Sequence, residues 1–211
     1  MRREFEIYTD LLLKWNQRIG FTKYSTKEII HEKLIQPSRL FSSLIPQNSS
    51  VIDIGTGPGV PGLIIAIEKP ESEFVLLDSK EASIEFVETC AGEIGLKNIS
   101  VFCGRAEKSA HEVIYREKFD YLVARSFAPL PVTLEIGCGY VENGGKILVH
   151  SPPGSETFAI PDESIADLGL KLDRIHSNEK SIISVTSFIK FKPTSEKYPR
   201  SWSAIKNKPI F

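Results

Sequence analysis

Val51-Ile-Asp-Ile-Gly-Thr-Gly-Pro-Gly-Val-Pro-Gly62 is the stretch on which the fold turns. Val51 to Ile54 is a short buried strand, because apolar β-branched residues favour extended backbone. Gly55, Gly57 and Gly59 make the turn that follows. They can take positive φ and expose backbone N–H groups with no side chain in the way. Pro61 suits a first helical position, where its missing N–H costs nothing. Gly62 lets that helix pack close to the strand. A carboxylate, phosphate or ribose can lie against such a turn, facing free amides and the helix dipole.

The details of the turn narrow its ligand. Gly57-Pro-Gly59-Val-Pro-Gly62 also satisfies the G-x-G-x-x-G pattern of dinucleotide binders, so the glycines alone do not discriminate. Asp53 does. A carboxylate inside the strand, just before the glycines, repels a pyrophosphate. It suits a cationic group such as the amino or sulfonium end of S-adenosylmethionine. The plainer alternative is an Asp that caps the turn by accepting from backbone N–H groups.

Composition sets the bounds. The 211 residues suffice for one full core and a small extension. Apolar content of 41% and charged content of 25% are those of a globular protein. No apolar run approaches the roughly 20 residues that span a bilayer. Met1-Arg-Arg-Glu-Phe-Glu6 lacks the apolar core of a signal peptide, so a cytoplasmic protein is expected. Cys90, Cys103 and Cys138 have no C-x-x-C spacing; buried reduced thiols are expected and no metal site. A net charge of -1 gives no global pull toward nucleic acid, so any basic surface is local.

Phe5, Tyr8, Leu11, Leu12, Trp15 and Ile19 recur at helical spacing over residues 4 to 19. A second helix is expected from about Thr26 to Leu44, kinked or broken at Pro37. Residues 1–48 therefore form a helical cap, with Lys14, Arg18, Lys23 and Lys27 on its polar side, and residues 49–211 a second unit. From Ser50 the pattern alternates. Strands are expected at Glu73 to Leu77, Ile99 to Phe102, Tyr121 to Ala124 and Lys146 to His150. Helices are expected to about Glu68, at Glu81 to Ile94, after Glu107, and at Leu130 to Tyr140. Weaker strands follow at Leu172 to Ile175 and Ile182 to Phe191. Such alternation implies a doubly wound α/β sheet, mostly parallel, with its site at the carboxyl ends of the strands.

The candidate site residues fall at those ends. Asp78 ends the second strand, 16 residues beyond Gly62, where an acid can bond ribose hydroxyls; capping the next helix is its alternative role. Ala106 and Glu107 follow the third strand, where backbone or carboxylate can meet an adenine edge or simply open a helix. Arg125 leaves the fourth strand into the cleft. In Arg125-Ser-Phe-Ala-Pro-Leu-Pro131 a cation, an aromatic and rigid prolines make a wall for a flat base. His31, His111, His150 and His176 follow no metal spacing. From Lys190 onward Lys190, Lys192, Lys197, Arg200, Lys206 and Lys208 face Glu196 alone, with Tyr198 and Trp202 interleaved. Cations with aromatics suit RNA, attracting phosphates and stacking bases; a solvated tail is the alternative.

Taken together, these residues resemble the bacterial 16S rRNA (guanine-N7) methyltransferase G family, also called the glucose-inhibited division protein B family. The resemblance is carried by Leu13-Lys-Trp-Asn16, Asp53 to Gly62, Leu76-Leu-Asp-Ser79, Gly104-Arg-Ala-Glu107, Phe119 to Arg125, Ala128-Pro-Leu-Pro131, Gly144-Gly145 and Lys197-Tyr-Pro-Arg200. It implies a class I methyltransferase fold, Rossmann-like with a seven-stranded sheet. It also implies S-adenosylmethionine as donor, held by Asp53, Gly55, Gly57, Gly59, Gly62, Asp78, Ala106, Glu107 and Arg125. The implied acceptor is a guanine of 16S rRNA in the small ribosomal subunit, with Arg125 as the catalytic residue beside donor and base. Lys197, Arg200, Lys206 and Lys208 would bind RNA, and the protein would act as a monomer. Gly20-Phe21-Thr22, Lys33 to Pro37 and His150 to Gly154 depart from the family's pattern around the acceptor side. They leave open a divergent methyltransferase with another RNA or small-molecule acceptor, or a non-catalytic RNA-binding or assembly factor.

Overall fold

The structure, a computed structural model, describes residues 2–151, 162–177 and 183–211. Its centre is a seven-stranded sheet with strands β1 (Ser50–Ile54), β2 (Glu73–Asp78), β3 (Ile99–Cys103), β4 (Phe119–Ala124), β5 (Val141–Ser151), β6 (Leu170–His176) and β7 (Ser184–Lys190), in the order β3-β2-β1-β4-β5-β7-β6. The first five run parallel; β7 enters antiparallel between β5 and β6. The order reverses between β1 and β4, a topological switch point where α/β sheets place their ligands. Val51, Ile52, Leu76, Leu77, Leu122 and Val123 are buried on both faces of the sheet, as covered parallel strands require.

Helices α1 (Arg3–Ile19), α2 (Lys27–Ile30), α3 (Gln36–Leu44), α4 (Gly62–Glu68), α5 (Glu81–Ile94), α6 (Ala106–Ser109), α7 (Leu130–Gly137), α8 (Asp162–Asp167) and α9 (Trp202–Asn207) cover the sheet. The cap shares its core with the sheet domain. Phe5, Tyr8, Leu12 and Ile30 pack in one cluster with Leu63, Phe86, Val87 and Cys90. Trp15 and Phe21 both meet the Phe86 ring, at 5.5 and 5.2 Å between centroids. The Asn16 side chain grips Thr22 through both its carbonyl and its N–H, which fixes the turn at Gly20 to Thr22.

Three boundaries differ from the sequence expectation, each for a local reason. The second cap helix is not broken at Pro37: a π-helical turn, His31–Ile35, joins α2 to α3 directly. Pro37 has no N–H to give the Lys33 carbonyl, and the wider turn absorbs that loss. Strand β5 starts at Val141 rather than Lys146. Its register to β4 jumps from Phe119↔Val141 to Tyr121↔Lys146, so Glu142 to Gly145 loop out as a bulge. Gly145 permits it: a Cβ there would lie 2.8 Å from the Asp120 carbonyl oxygen. Pro61 stands just outside α4, as its N-cap rather than its first residue. Cys103 is exposed, against the expectation of three buried thiols; Cys90 and Cys138 are buried. Of the weak strands, the expected start at Ile182 lies outside the described residues, as do Pro152 to Gly154.

Candidate active site

The carboxyl ends of β1 to β4 open on a cleft of about 330 Å³. Of the residues assigned to the donor from the sequence, Gly55, Gly57, Asp78, Ala106 and Glu107 line it; Asp53, Gly59, Gly62 and Arg125 lie behind or beside it and are not among its lining residues. Ser126 and Phe127 line it too, from the segment read as a wall for a flat base, while Lys80, Arg105 and Trp202 line it without having been assigned a role there. Lys80 and Arg105 lie within two residues of Asp78 and Ala106, which were assigned. Trp202 comes from the far end of the chain, and no local pattern places it there.

The glycine turn differs from the expected ring of free amides. Gly55 and Thr56 both donate to the Leu77 carbonyl, at 2.8 and 3.0 Å. Gly57 N–H donates to Asp78 Oδ2 at 2.8 Å. Gly59 and Val60 donate to the Thr56 carbonyl, and Leu63 to that of Gly59. Gly62 N–H donates to Asp53 Oδ2 at 2.8 Å. Pro58 and Pro61 have no N–H. The amides from Gly55 to Leu63 are therefore all occupied within the protein. A diphosphate would find no donors here, which argues against a dinucleotide more strongly than charge alone.

Asp53 is fully buried, and Thr56 Oγ1 donates to the same Oδ2 at 2.8 Å. Its capping role is thus real, and it is carried by one oxygen. Oδ1 has no partner among the described residues. A buried lone pair left bare is costly, and such an atom marks a place where a donor or cation belongs. Burial pushes the Asp53 carboxyl up to about 7, against the two hydrogen bonds that favour the charged form. Gly62 keeps this corner tight, because an added Cβ would lie 2.3 Å from Leu76 Cδ2 and 2.6 Å from Asp53 Oδ2. Tyr8 of the cap, fully buried, donates its hydroxyl to the Pro58 carbonyl at 3.0 Å and braces the loop from outside.

Asp78 also has both expected roles within reach. Its Oδ1 accepts from Lys80 N–H at 2.9 Å beside the start of α5, and Oδ2 holds Gly57. Each oxygen keeps a second lone pair for a hydroxyl in the cleft. Glu107 is buried and pairs with Arg105 Nε at 3.2 Å. The Ala106 carbonyl is taken by Tyr140 Oη at 2.7 Å.

Arg125 points toward the cap. Its Nη2 donates to the Lys33 carbonyl at 2.6 Å and Nη1 to that of Leu34 at 3.4 Å. The first of these is the carbonyl four residues before Pro37, which has no N–H to offer it. Burial holds the guanidinium below its ordinary pKa. Burial, with Arg125 second, depresses His150 to about 4, so His150 is neutral near pH 7.

The C-terminal basic run is sorted by the fold. Lys197, Lys206 and Lys208 are exposed. Lys190 is buried instead, bonded to Glu117 Oε1 and to the carbonyls of Cys138 and Val141. Arg200 is committed to the buried Glu135, with Nε and Nη2 at 2.7 and 2.6 Å from its two oxygens. Tyr198 is buried and unavailable for stacking on a base. The tail is therefore anchored, and its free cations are fewer than the sequence suggests.

Comparisons with known proteins identify the family and the fold. Residues 1–155 match the family described as rRNA small subunit methyltransferase G. A relative from Clostridium botulinum, the ribosomal RNA small subunit methyltransferase G, is 37% identical over 96% of this chain and 88% of its own. A solved S-adenosylmethionine-dependent methyltransferase from Aquifex aeolicus superposes with a TM-score of 0.56 at 15% identity, covering 76% of this chain and 93% of that one. A mutant of MtNAS in complex with S-adenosylmethionine does so at 0.60 and 14% identity, covering 91% and 73%. The last two likenesses concern the fold.

Proposed function

The chain belongs to the rRNA small subunit methyltransferase G family, and from that premise we propose that it moves a methyl group from S-adenosylmethionine to N7 of a guanine in 16S rRNA. The observation that carries the donor half is the glycine turn, whose amides are spent while Asp53 Oδ1 stays bare beside them. That set of groups fits the donor's ammonium or sulfonium and offers nothing to a diphosphate. When bound, S-adenosylmethionine supplies an electrophilic methyl group on a positive sulfur.

The residues' work is holding and placing. Asp53 sets negative charge at the turn, supported by its orphaned oxygen. Asp78 accepts from ribose hydroxyls with its remaining lone pairs. Glu107 and the backbone at Ala106 meet the base edge. Gly55, Gly57, Gly59 and Gly62 give the turn its shape; the first three have φ of +70°, +52° and +81°. Guanine N7 carries a free lone pair on its major-groove edge, so no side chain has to remove a proton before it attacks. Catalysis then rests on orientation within the cleft. Arg125 is the catalytic residue of this reading, a cation for the guanine O6 edge. Its support is its place at the β4 end against the cap, where two carbonyls hold it ready. Lys197, Lys206 and Lys208 attract RNA phosphate, and Arg200 acts by anchoring the segment that carries them. The protein works as a monomer in the cytoplasm. Among the described residues no helix is long and apolar enough to cross a membrane.

The test is nucleoside mass spectrometry of small-subunit rRNA incubated with protein and isotopically labelled donor. The label is expected in 7-methylguanosine, and Arg125→Ala is expected to slow its appearance at least about tenfold, a loss of roughly 1.4 kcal/mol. Label in another nucleoside would refute the acceptor. Full speed in Arg125→Ala would refute the role of that residue.

A further inference from the structure

Trp202 joins the C-terminus to the cleft. The indole lines it together with Arg105, Ala106 and Glu107 at the β3 end. The Arg105 guanidinium carbon lies 5.1 Å from the centre of the Trp202 ring, within range of a cation–π contact. The same guanidinium reaches back to Glu107, so indole, guanidinium and carboxylate form one connected wall. Trp202 as a whole is 37% exposed, so part of it is open to the cleft and to solvent.

Trp202 does not sit on a loose tail. Just before α9, Arg200 donates from its backbone N, Nε and Nη2 to Glu135, and Nη2 also reaches the Lys208 carbonyl beyond the helix end. Ile205 of α9 is fully buried in the main core. Both ends of α9 are therefore pinned, and the indole is presented in a fixed place. Fixed aromatic area costs little entropy when a flat ligand lands on it.

We propose that Trp202 closes the base end of the donor cleft and, with Arg105, forms the surface on which the donor's adenine stacks. This rests on the donor reading above and adds to it a determinant of affinity supplied by the C-terminal segment. Asp78 takes the ribose between the glycine turn and this wall, so the adenine falls at the β3 side, where Trp202 stands.

The test is calorimetric titration of the full chain with S-adenosylmethionine and, separately, with adenosine. Trp202→Ala is expected to weaken both about tenfold, in the range of single base–aromatic contacts. Trp202→Phe should recover most of the loss. Trp202→Leu, which keeps bulk without an aromatic face, should not. In a Trp15→Phe background the only indole is Trp202, and its emission should change on saturation with either ligand. Wild-type affinity for both ligands in Trp202→Ala would overturn the inference while leaving the donor reading standing. Recovery by Trp202→Leu equal to that by Trp202→Phe would overturn the stacking role. No binding of S-adenosylmethionine to the wild type would overturn the donor reading and this inference with it.

Discussion

Asp53 meets two opposed demands at one residue. Its Oδ2 must cap α4, and its Oδ1 is left without a partner in a fully buried site. With the carboxyl raised to about 7 against roughly 3.9 in an unfolded chain, folding favours the neutral form. Stability from this group is full below about pH 4 and is lost as pH rises through about 7. A cation at Oδ1 favours the charged form, so donor binding below about pH 7 expels a proton. Donor affinity is therefore predicted to climb with pH to about 7 and then level, and Asp53→Asn to flatten that profile; titrations in buffers of different ionisation heat measure both. His150 works the other way. Its pKa of about 4 lies below the unfolded value of about 6.5, so stability falls as pH drops from about 6.5 toward about 4. Urea midpoints of His150→Gln should lose that dependence. Gly62→Ala is expected to cost about 1–3 kcal/mol by overpacking, since its Cβ would collide with Leu76 and Asp53. The sequence already marks Gly62 as the point where helix and strand pack closely, and the structure supplies the clash. The sequence does not show the division of labour between the two oxygens of Asp53, which depends on Thr56 turning its hydroxyl inward.

At the scale of elements, α9 and the π-helical turn in the cap are where sequence patterns carry least. Alternating strands and helices from Ser50 onward are legible because buried parallel strands and amphipathic helices have different apolar periods. The antiparallel entry of β7 is not, because strand order follows from packing among remote segments. The basic tail looks uniform in sequence; Lys190 and Arg200 prove to be internal, because Glu117 and Glu135 come to them from elements far away in the chain. Arg200→Ala strands the fully buried Glu135 charge and should cost about 3 kcal/mol, read as a lowered urea midpoint. Because Arg200 also pins α9, the same variant should loosen the donor. Pro37→Ala restores an N–H that competes with Arg125 for the Lys33 carbonyl. It should free the guanidinium, and a change in methyl transfer rate with little change in stability would register that release.

At the scale of the whole molecule, cap and sheet domain act as one body. Phe5, Tyr8, Leu12 and Ile30 complete the cluster around Phe86 and Val87, and Tyr8 props the glycine loop. A protein trimmed to residues 49–211 is expected to bare that cluster and aggregate, as light scattering would report. On the proposed reading, surface lysines draw the rRNA to the protein. Replacing Lys197, Lys206 and Lys208 together by Glu should weaken rRNA binding and lower the salt slope by about two, the share of three phosphate contacts on single-stranded RNA. All of this depends on a turn whose amides are spent and whose acid is half bare. Parallel calorimetric titrations of the full chain with S-adenosylmethionine and with NAD test it most directly. Saturable binding of S-adenosylmethionine with proton release, and no heat from NAD, is the predicted result; binding of NAD, or its displacement of S-adenosylmethionine from the cleft, would contradict it.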